Sequence, residues 1–316
     1  MRRSWRMDET EYTKIILSII VPVYNSAKFI RATLSSIIKI IDRRSDIEVI
    51  VQDSCSTDGT SNIISSFSEK YPLIHHFIEK DNGQTDGINK GALKAKGLWI
   101  TWLCGDDLLM NTFRKSIEIL PQVEADVVYA DCVFLLENGN AIPAIGTEAY
   151  NNGILAKRRL IMQQPGTCIR KRLWDIIGGV NNNLNWVMDY DLFLRLETKG
   201  ARFLRIEEFV AISRIHSEAK TSSRSIERLF EHWRILFNAH IHKIIYFSLR
   251  PYLLYFVEYI IKNRESQSKF KGITYLHKLF WLVGYPAEKE LIESRFEKKK
   301  TEIEAEIRVL DKGIAI

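Results

Sequence analysis

The sequence predicts an α/β protein built on a doubly wound, mostly parallel sheet flanked by helices, with a helical C-terminal region appended. Short, continuous β-branched runs alternate with helix-spaced segments over residues 17–103. Such runs are what strands buried on both faces of a parallel sheet require. The composition is that of a globular chain, with 46% hydrophobic and 27% charged residues among 316. That length allows a domain of about 200 residues plus an appendage.

Residues 17–23 (LSIIVPV) form the first predicted strand, ended by Tyr24-Asn25-Ser26. Residues 27–41 then place Phe29, Ile30, Leu34, Ile37, Ile38 and Ile41 at helical spacing. Strands follow at Ile47–Val51, Leu73–Ile78 and Leu98–Leu103, with helices at Thr60–Phe67 and Asp86–Lys96 between them. A βαβαβαβ order implies right-handed crossovers, and Val127–Ala130 continues the sheet. Beyond residue 140 the regularity loosens. Asn151-Asn152-Gly153 is a turn, Gly178-Gly179 closes a short helix over 171–177, and a helix over 189–199 ends at Gly200. Strands near 202–206 and 209–214 come next, and the polar stretch Ser217–Ser225 marks a boundary. The division is an N-terminal extension, 1–14, a principal domain, 15–222, and a C-terminal region, 223–316.

The net charge of +6 is local: residues 224–278 hold 10 Lys and Arg against 4 Asp and Glu, the whole surplus. This argues against a nucleic-acid-binding surface. Cys55, Cys104, Cys132 and Cys168 are too far apart for a CxxC pair, so a reducing compartment fits best. The arginines at the N-terminus look like a signal n-region, but the apolar run Ile15–Val23 holds Ser18 and Pro22 and lacks a cleavage site, so it reads as a strand. Met1 and Met7 both remain open as the start.

In an open α/β sheet, ligands bind beyond the carboxyl ends of the strands. Here these ends read Pro22-Val23-Tyr24-Asn25, Asp53–Thr60, Asp81–Asp86 and Gly105-Asp106-Asp107, all polar and three of them acidic. No GxGxxG follows the first strand and no GxxxxGK[ST] occurs, which disfavours dinucleotide and P-loop chemistry. Asp53 can accept from a base N–H or a ribose hydroxyl, and Asp106 with Asp107 suits Mg²⁺ or Mn²⁺ on a diphosphate. Neither acid of that pair is expected in the core. Asp53 and Asp58 also suit capping of the helix from Thr60.

Five segments, LSIIVPVYN (17–25), IVQDSCSTDGT (50–60), NGQTDGINKG (82–91), GDDL (105–108) and DYDLFLR (189–195), come in the order and spacing of the family-2 glycosyltransferases, which this chain resembles over about residues 15–222. The resemblance implies the GT-A fold and inversion at the anomeric centre of a nucleotide sugar. It implies that Pro22, Tyr24, Asn25, Asp53, Asp86, Lys90 and Asp106 line the donor pocket, and that Asp106, Asp107 and His216 surround the metal, Mn²⁺ or Mg²⁺. Asp189 aligns with the catalytic base. On the acceptor side stand Trp186, Gln164 and Arg195, with Trp186 the stacking candidate; Trp99, Trp102 and Trp174 suit a core better. His216 reads equally as a ligand or as a satisfied polar residue. Three departures stand out: Cys104 replaces the first acid of the metal motif, Ser54 the second acid after strand two, and Met188 the acid before the base. These leave open an impaired nucleotide-sugar-binding protein as the alternative.

The close subset looks like bacterial enzymes of O-antigen and surface-polysaccharide synthesis. That implies a glycan or polyprenyl-linked acceptor and a place at the inner, cytoplasmic face of the cell membrane. The segment Lys243–Lys262 mixes aromatics with basic residues, and Arg250-Pro251 interrupts it. It suits either a helix lying in the headgroup region, a peripheral membrane contact, or a helical pair packed on the principal domain. Residues 287–312 form a charged helix with a thin apolar seam, Ile292, Phe296, Ile303 and Leu310, suited to pairing two chains as a homodimer.

Overall fold

Strands β1 (Leu17–Val23), β2 (Ile47–Asp53), β3 (Ile74–Ile78) and β4 (Trp99–Trp102) lie parallel in the order β3-β2-β1-β4 and make one side of the sheet. The computed structural model describes residues 15–41, 44–144, 150, 155, 162–217, 227, 230, 231, 234, 235 and 288–311. Between these strands run α1 (Ile30–Ile41), α2 (Thr60–Lys70) and α3 (Gln84–Lys94). Alternation along β1 explains why both faces are apolar. Ile19, Val21 and Val23 join the core under α1 and α2, whereas Ile20 joins the opposite core with Ile88 of α3. A Cβ on Gly91 would lie 2.5 Å from Cγ2 of Ile20, so α3 crosses β1 at a range that only glycine permits.

The second half comprises β5 (Leu108–Leu109), α4 (Phe113–Ile119), β6 (Val127–Leu136), β7 (Ala141–Pro143), β8 (Cys168–Arg170), α5 (Lys171–Ile177), α6 (Met188–Thr198) and β9 (Phe203–Ile215). The full order is β3-β2-β1-β4-β8-β6-β9-β5, with β7 on β6. Here the sheet is mixed. Strand β8 runs antiparallel to β4 and β6, and β5 antiparallel to β9, while β9 is parallel to β6. The mostly parallel sheet that the sequence predicts is thus parallel through β1–β4 and mixed beyond, where the antiparallel neighbours of β8 and β5 need no crossover helix.

Of the predicted boundaries that move, two have a local cause. Helix α1 starts at Ile30 because residues 26–29 form a turn in which Ser26 O accepts from Phe29 N and Ile30 N. The two strands expected near 202–206 and 209–214 are one strand, β9. Its register on β6 jumps from Ile206 opposite Ala130 to Phe209 opposite Asp131, so Glu207 and Glu208 bulge out of the ladder.

Helix α7 (Glu288–Asp311) corrects the pairing expectation. Its seam, Ile292, Phe296, Ile303, Ile307 and Leu310, is buried against Leu108, Met110, Val133, Leu135, Phe209 and Ile212 of the same chain. The apolar face that chain pairing would use is thus already covered. Ion pairs frame it: Arg295 lies 3.2 Å from Asp131, which also holds Arg205 at 2.9 Å, and Lys299 joins Lys115 on Glu208. Among the described residues, no helix is long and apolar enough to cross a membrane. The segment Lys243–Lys262, Met1, Met7 and the Asn151–Gly153 turn lie outside the described residues.

Phe296→Ala should lower stability by about 3–5 kcal/mol, the usual result of deleting a buried phenyl, in urea denaturation. The mass in light scattering should not change; a shift in oligomeric state would mean that the seam joins chains after all.

Candidate active site

The loops after β1 and β2 are laced together. Asn25 and Cys55 occupy the left-handed region, at φ 49° and 57°. Asn25 N donates to Ser56 Oγ at 2.9 Å and its Oδ1 accepts from Thr57 N at 2.9 Å. Ser26 N donates to Thr60 Oγ1, and Ala27 N to Asp58 Oδ2. Asp58 Oδ1 also takes the N–H of Thr60, the capping role foreseen for it. Tyr24, next to this lacing, exposes 62% of its surface and offers a free aromatic face; Pro22 is buried within β1.

Asp53 has no exposed surface. Its Oδ1 accepts from Ser56 N at 2.9 Å and Ser56 Oγ at 2.6 Å, its Oδ2 accepts from Ser61 Oγ, and the His76 ring lies 3.6 Å away. Burial pushes the Asp53 carboxyl up, but the His76 side chain and the serine hydrogen bonds outweigh it and hold the pKa at about 2. Both oxygens of the residue expected at a nucleotide base are therefore engaged, by the loop after β2 and by the first turn of α2. Ser54, in place of a second acid, accepts from Asp81 N through Oγ at 3.1 Å.

Asp86, in the first turn of α3, accepts from Asn82 N and Nδ2, and Lys90 donates to Lys80 O at 2.6 Å while lying 3.5 Å from Asp86. Both therefore brace the loop between β3 and α3.

At the end of β4, the Gly105 backbone passes so close to β1 that a Cβ there would lie 2.8 Å from Val23 Cγ1. Cys104, Asp106 and Asp107 follow, with candidate ligand atoms within 4.8 Å of one another. Asp107 is 5% exposed, which corrects the expectation that neither acid is in the core. Burial, and then the charge of Asp106, push its pKa well up, against Ser213 and Arg214. Asp107 Oδ1 accepts from Arg214 N at 3.2 Å, and Asp106 O from the Arg214 guanidinium at 2.6 Å. Nε2 of His216 meets Oδ2 of Asp106 at 3.0 Å. Phe29, read from sequence only as a helix-face residue, is the floor for both: His216 packs on its ring at 4.7 Å and Arg214 at 5.4 Å.

On the other side, Asp189 stands in the first turn of α6, partly exposed, its Oδ1 accepting from Tyr190 N at 2.8 Å. Asp191 instead pairs with Arg195 at 2.7 Å. Arg195 also donates to Ile177 O and Gly179 O, so the expected acceptor contact is a staple between α6 and the end of α5. Gln164 donates to Trp102 O at 2.6 Å. Trp99, Trp102 and Trp174 are core residues, while Trp186 is only partly buried.

Residues 18–168 match the model of glycosyl transferase family 2. The chain carries a family-2 glycosyltransferase domain. It is 25% identical over 241 residues, 72% of its length, to an uncharacterized glycosyltransferase of Rickettsia felis, and 26% identical over 223 residues, 67% of its length, to the chondroitin synthase of Escherichia coli. It spans 38% and 30% of the lengths of those two relatives. In structure it is similar to S. aureus TarS 1-349 in complex with UDP-GlcNAc (TM-score 0.59, 17% identity, 94% of this chain and 91% of that one). It is also similar to the mannosyltransferase PcManGT of Pyrobaculum calidifontis in complex with GDP-Man and Mn²⁺ (TM-score 0.57, 17% identity, 99% and 91%). The fold is GT-A.

In this family-2 domain the donor set fits a hard divalent cation. Two carboxylates stand side by side, one buried and strained by its neighbour's charge, which a cation relieves. The Cys104 thiol, with Gln84 Nε2 at 3.0 Å, is a softer group than the acid it replaces.

Because the Asp53 carboxyl falls from an ordinary 3.8 to about 2 on folding, its ionised form stabilises the fold above pH 4, and that contribution fades as pH drops through 2. Urea titrations of wild type and Asp53→Asn should therefore show a gap that shrinks by on the order of 2 kcal/mol between pH 5 and pH 2. A gap independent of pH would disprove the assignment.

Proposed function

We propose that the protein transfers a sugar, with inversion, from a nucleotide-diphosphate sugar to an acceptor hydroxyl. The observation that carries this reading is the corner where Asp106 and Asp107 meet Arg214 and His216 at the strand ends. A divalent ion there would neutralise the charge that builds on the departing diphosphate. Asp106 and Asp107 would hold that ion, and His216 and the Arg214 guanidinium stand beside them to orient phosphate oxygens. Tyr24 offers its exposed ring to the nucleotide base. Asp53 acts at one remove, by folding the loop after β2 that borders the pocket.

Asp189 takes the proton from the acceptor hydroxyl. That oxygen bonds to the anomeric carbon while the bond from this carbon to the diphosphate oxygen breaks, and its electron pair leaves with the nucleoside diphosphate. A helix N-terminus favours the ionised carboxylate that a base must be. The donor of choice is a UDP-sugar, in line with the UDP-GlcNAc bound by TarS. The acceptor is a glycan or polyprenyl-linked sugar of a surface polysaccharide, which the basic, aromatic C-terminal region would meet at the membrane face.

Asp189→Asn should lower transfer roughly 10²–10⁴-fold while leaving the dissociation constants of UDP and Mn²⁺ unchanged in calorimetry. Asp191→Asn loses only a pair with Arg195 and should stay within a few fold of wild type. The reverse ranking would mean that the base is misassigned.

Asp107→Asn should abolish Mn²⁺-dependent release of UDP from a panel of UDP-sugars. It should also raise the metal-free melting temperature at pH 7. A carboxyl whose pKa is raised on folding costs stability as the pH rises above its unfolded value of 3.8, and the amide does not ionise. Full wild-type turnover in EDTA would rule out the metal's role.

A further inference from the structure

The turn that leads into α6 is gripped from two sides. From α3, Asn89 Oδ1 accepts from Val180 N at 3.1 Å, and its Nδ2 donates to Val180 O and Asn182 Oδ1 at 2.7 and 2.8 Å. From the C-terminal region comes Glu231, 46 positions along the chain from Asn185. Its Oε1 accepts from Asn185 N at 2.8 Å, and its Oε2 accepts from Trp186 N at 2.8 Å and Val187 N at 3.3 Å. Three consecutive backbone N–H groups thus converge on one carboxylate, just before the helix whose second residue is Asp189. The contact is anchored on both flanks: Arg234 donates to Asn183 O at 3.2 Å, and Ile235 is buried in the same core as Tyr190 and Leu192.

The geometry of that turn sets where Asp189 and Trp186 point. A helix cannot shift its first turn without moving its cap and the residues before it, and Glu231 holds the cap, Val187, with Asn185 and Trp186. We propose that Glu231 is a positioning residue for the catalytic base: its carboxylate fixes the 185–187 turn and so the placement of Asp189 against the acceptor hydroxyl. The proposal rests on the reading of Asp189 as base. It assigns a role in the reaction to a residue beyond the 18–168 segment that matches the family.

The experiment uses the full chain as wild type, Glu231→Ala and Glu231→Gln. Amide hydrogen exchange is followed by mass spectrometry, UDP and Mn²⁺ binding by calorimetry, and turnover on the UDP-sugar that the wild type accepts. In Glu231→Ala, exchange should accelerate in the peptide covering 183–188 and stay unchanged in those covering β4 and β9. The kcat should fall roughly 10- to 100-fold, the penalty of a displacement of about 1 Å in a reacting geometry, with donor KM and both dissociation constants within about twofold. Glu231→Gln, which keeps one accepting oxygen, should recover part of the loss. In an Asp189→Asn background, Glu231→Ala should reduce turnover no further, because the two act through one group.

Unchanged exchange at 183–188 in Glu231→Ala would overturn the proposal. So would acceleration spread over β4 and β9, or a donor KM that rises in step with the fall in kcat. If the wild type turns over no nucleotide sugar, the functional reading and the role of Asp189 fall together. The exchange measurement then still decides whether Glu231 holds the turn.

Discussion

Asp107 keeps a carboxyl group at 5% exposure directly beside the carboxylate of Asp106, and the surrounding fold has to accommodate that repulsion. Two unit charges about 4–5 Å apart at an effective dielectric near 20 oppose each other by about 3–4 kcal/mol. Desolvation of the buried partner adds to this. A fold with no use for the charge would place Asn or Ser there. This one surrounds the pair with compensating groups instead: the Arg214 backbone N–H and the Ser213 side chain on Asp107, and the imidazole of His216 on Asp106. The compensation is partial, since the Asp107 carboxyl still has its pKa pushed well up. What remains is an attraction for a cation.

The compensating groups come from the far end of β9 and, for His216, from the residue just after it, so their position depends on what fixes that strand. β9 pairs with β6 along most of its length and with β5, the two-residue strand that directly follows Asp107. Helix α7 packs against all three through Leu108, Val133, Leu135, Phe209 and Ile212. Glu306 of α7 also accepts the N–H of Asn111 at 2.7 Å. The acidic motif and its counter-charges thus share one back wall, contributed from the other end of the chain. Strand pairing alone would leave β5, with only Leu108 and Leu109 in its ladder, a weak support for two repelling acids.

How much of this was legible in the sequence depends on whether a residue's partner is near it in the chain. Strands β1 and β2 read correctly because burial on both faces demands a continuous apolar run. Helix α1 read correctly beyond Ile30 because its spacing follows 3.6 residues per turn. Asp106, Asp107 and His216 were recognisable as a set, and the structure brings them together. Strands β5, β7 and β8 were missed, being two or three residues long with no room for a pattern. Strand β9 reads as two strands, near 202–206 and 209–214, because Glu207 and Glu208 interrupt the apolar run, and in the structure they bulge out of one continuous strand. The seam of α7 was visible but its partner was not. A thin apolar stripe says that something covers it, and only tertiary structure says that the cover is β5, β6 and β9. Arg195, Gln164 and Glu231 show the same limit. Their types suggest polar work, but their contacts, Gly179 O, Trp102 O and the 185–187 amides, are set by packing across distant segments.

The two sides of the site answer different physical problems, and α3 is the member they share. On the proposed reading the donor side neutralises charge, and the structure concentrates acids, a guanidinium and an imidazole at the strand ends. On that reading the acceptor side aims one carboxylate, and backbone hydrogen bonds hold the turn before it. Helix α3 lies against β1 at the Gly91 contact, braces the loop after β3 through Asp86 and Lys90, and holds residues 180 and 182 through Asn89. A Cβ on Gly179 would lie 2.3 Å from Asn89 Oδ1, so glycine there leaves room for the amide that grips the turn. Helix α3 is thus held to β1 by glycine packing on Ile20 and to the turn before α6 by the hydrogen bonds of Asn89. The spacing between the strand ends and residues 180–182 is then set by α3, and the stretch from Asn183 to Val187 is held instead by the C-terminal segment.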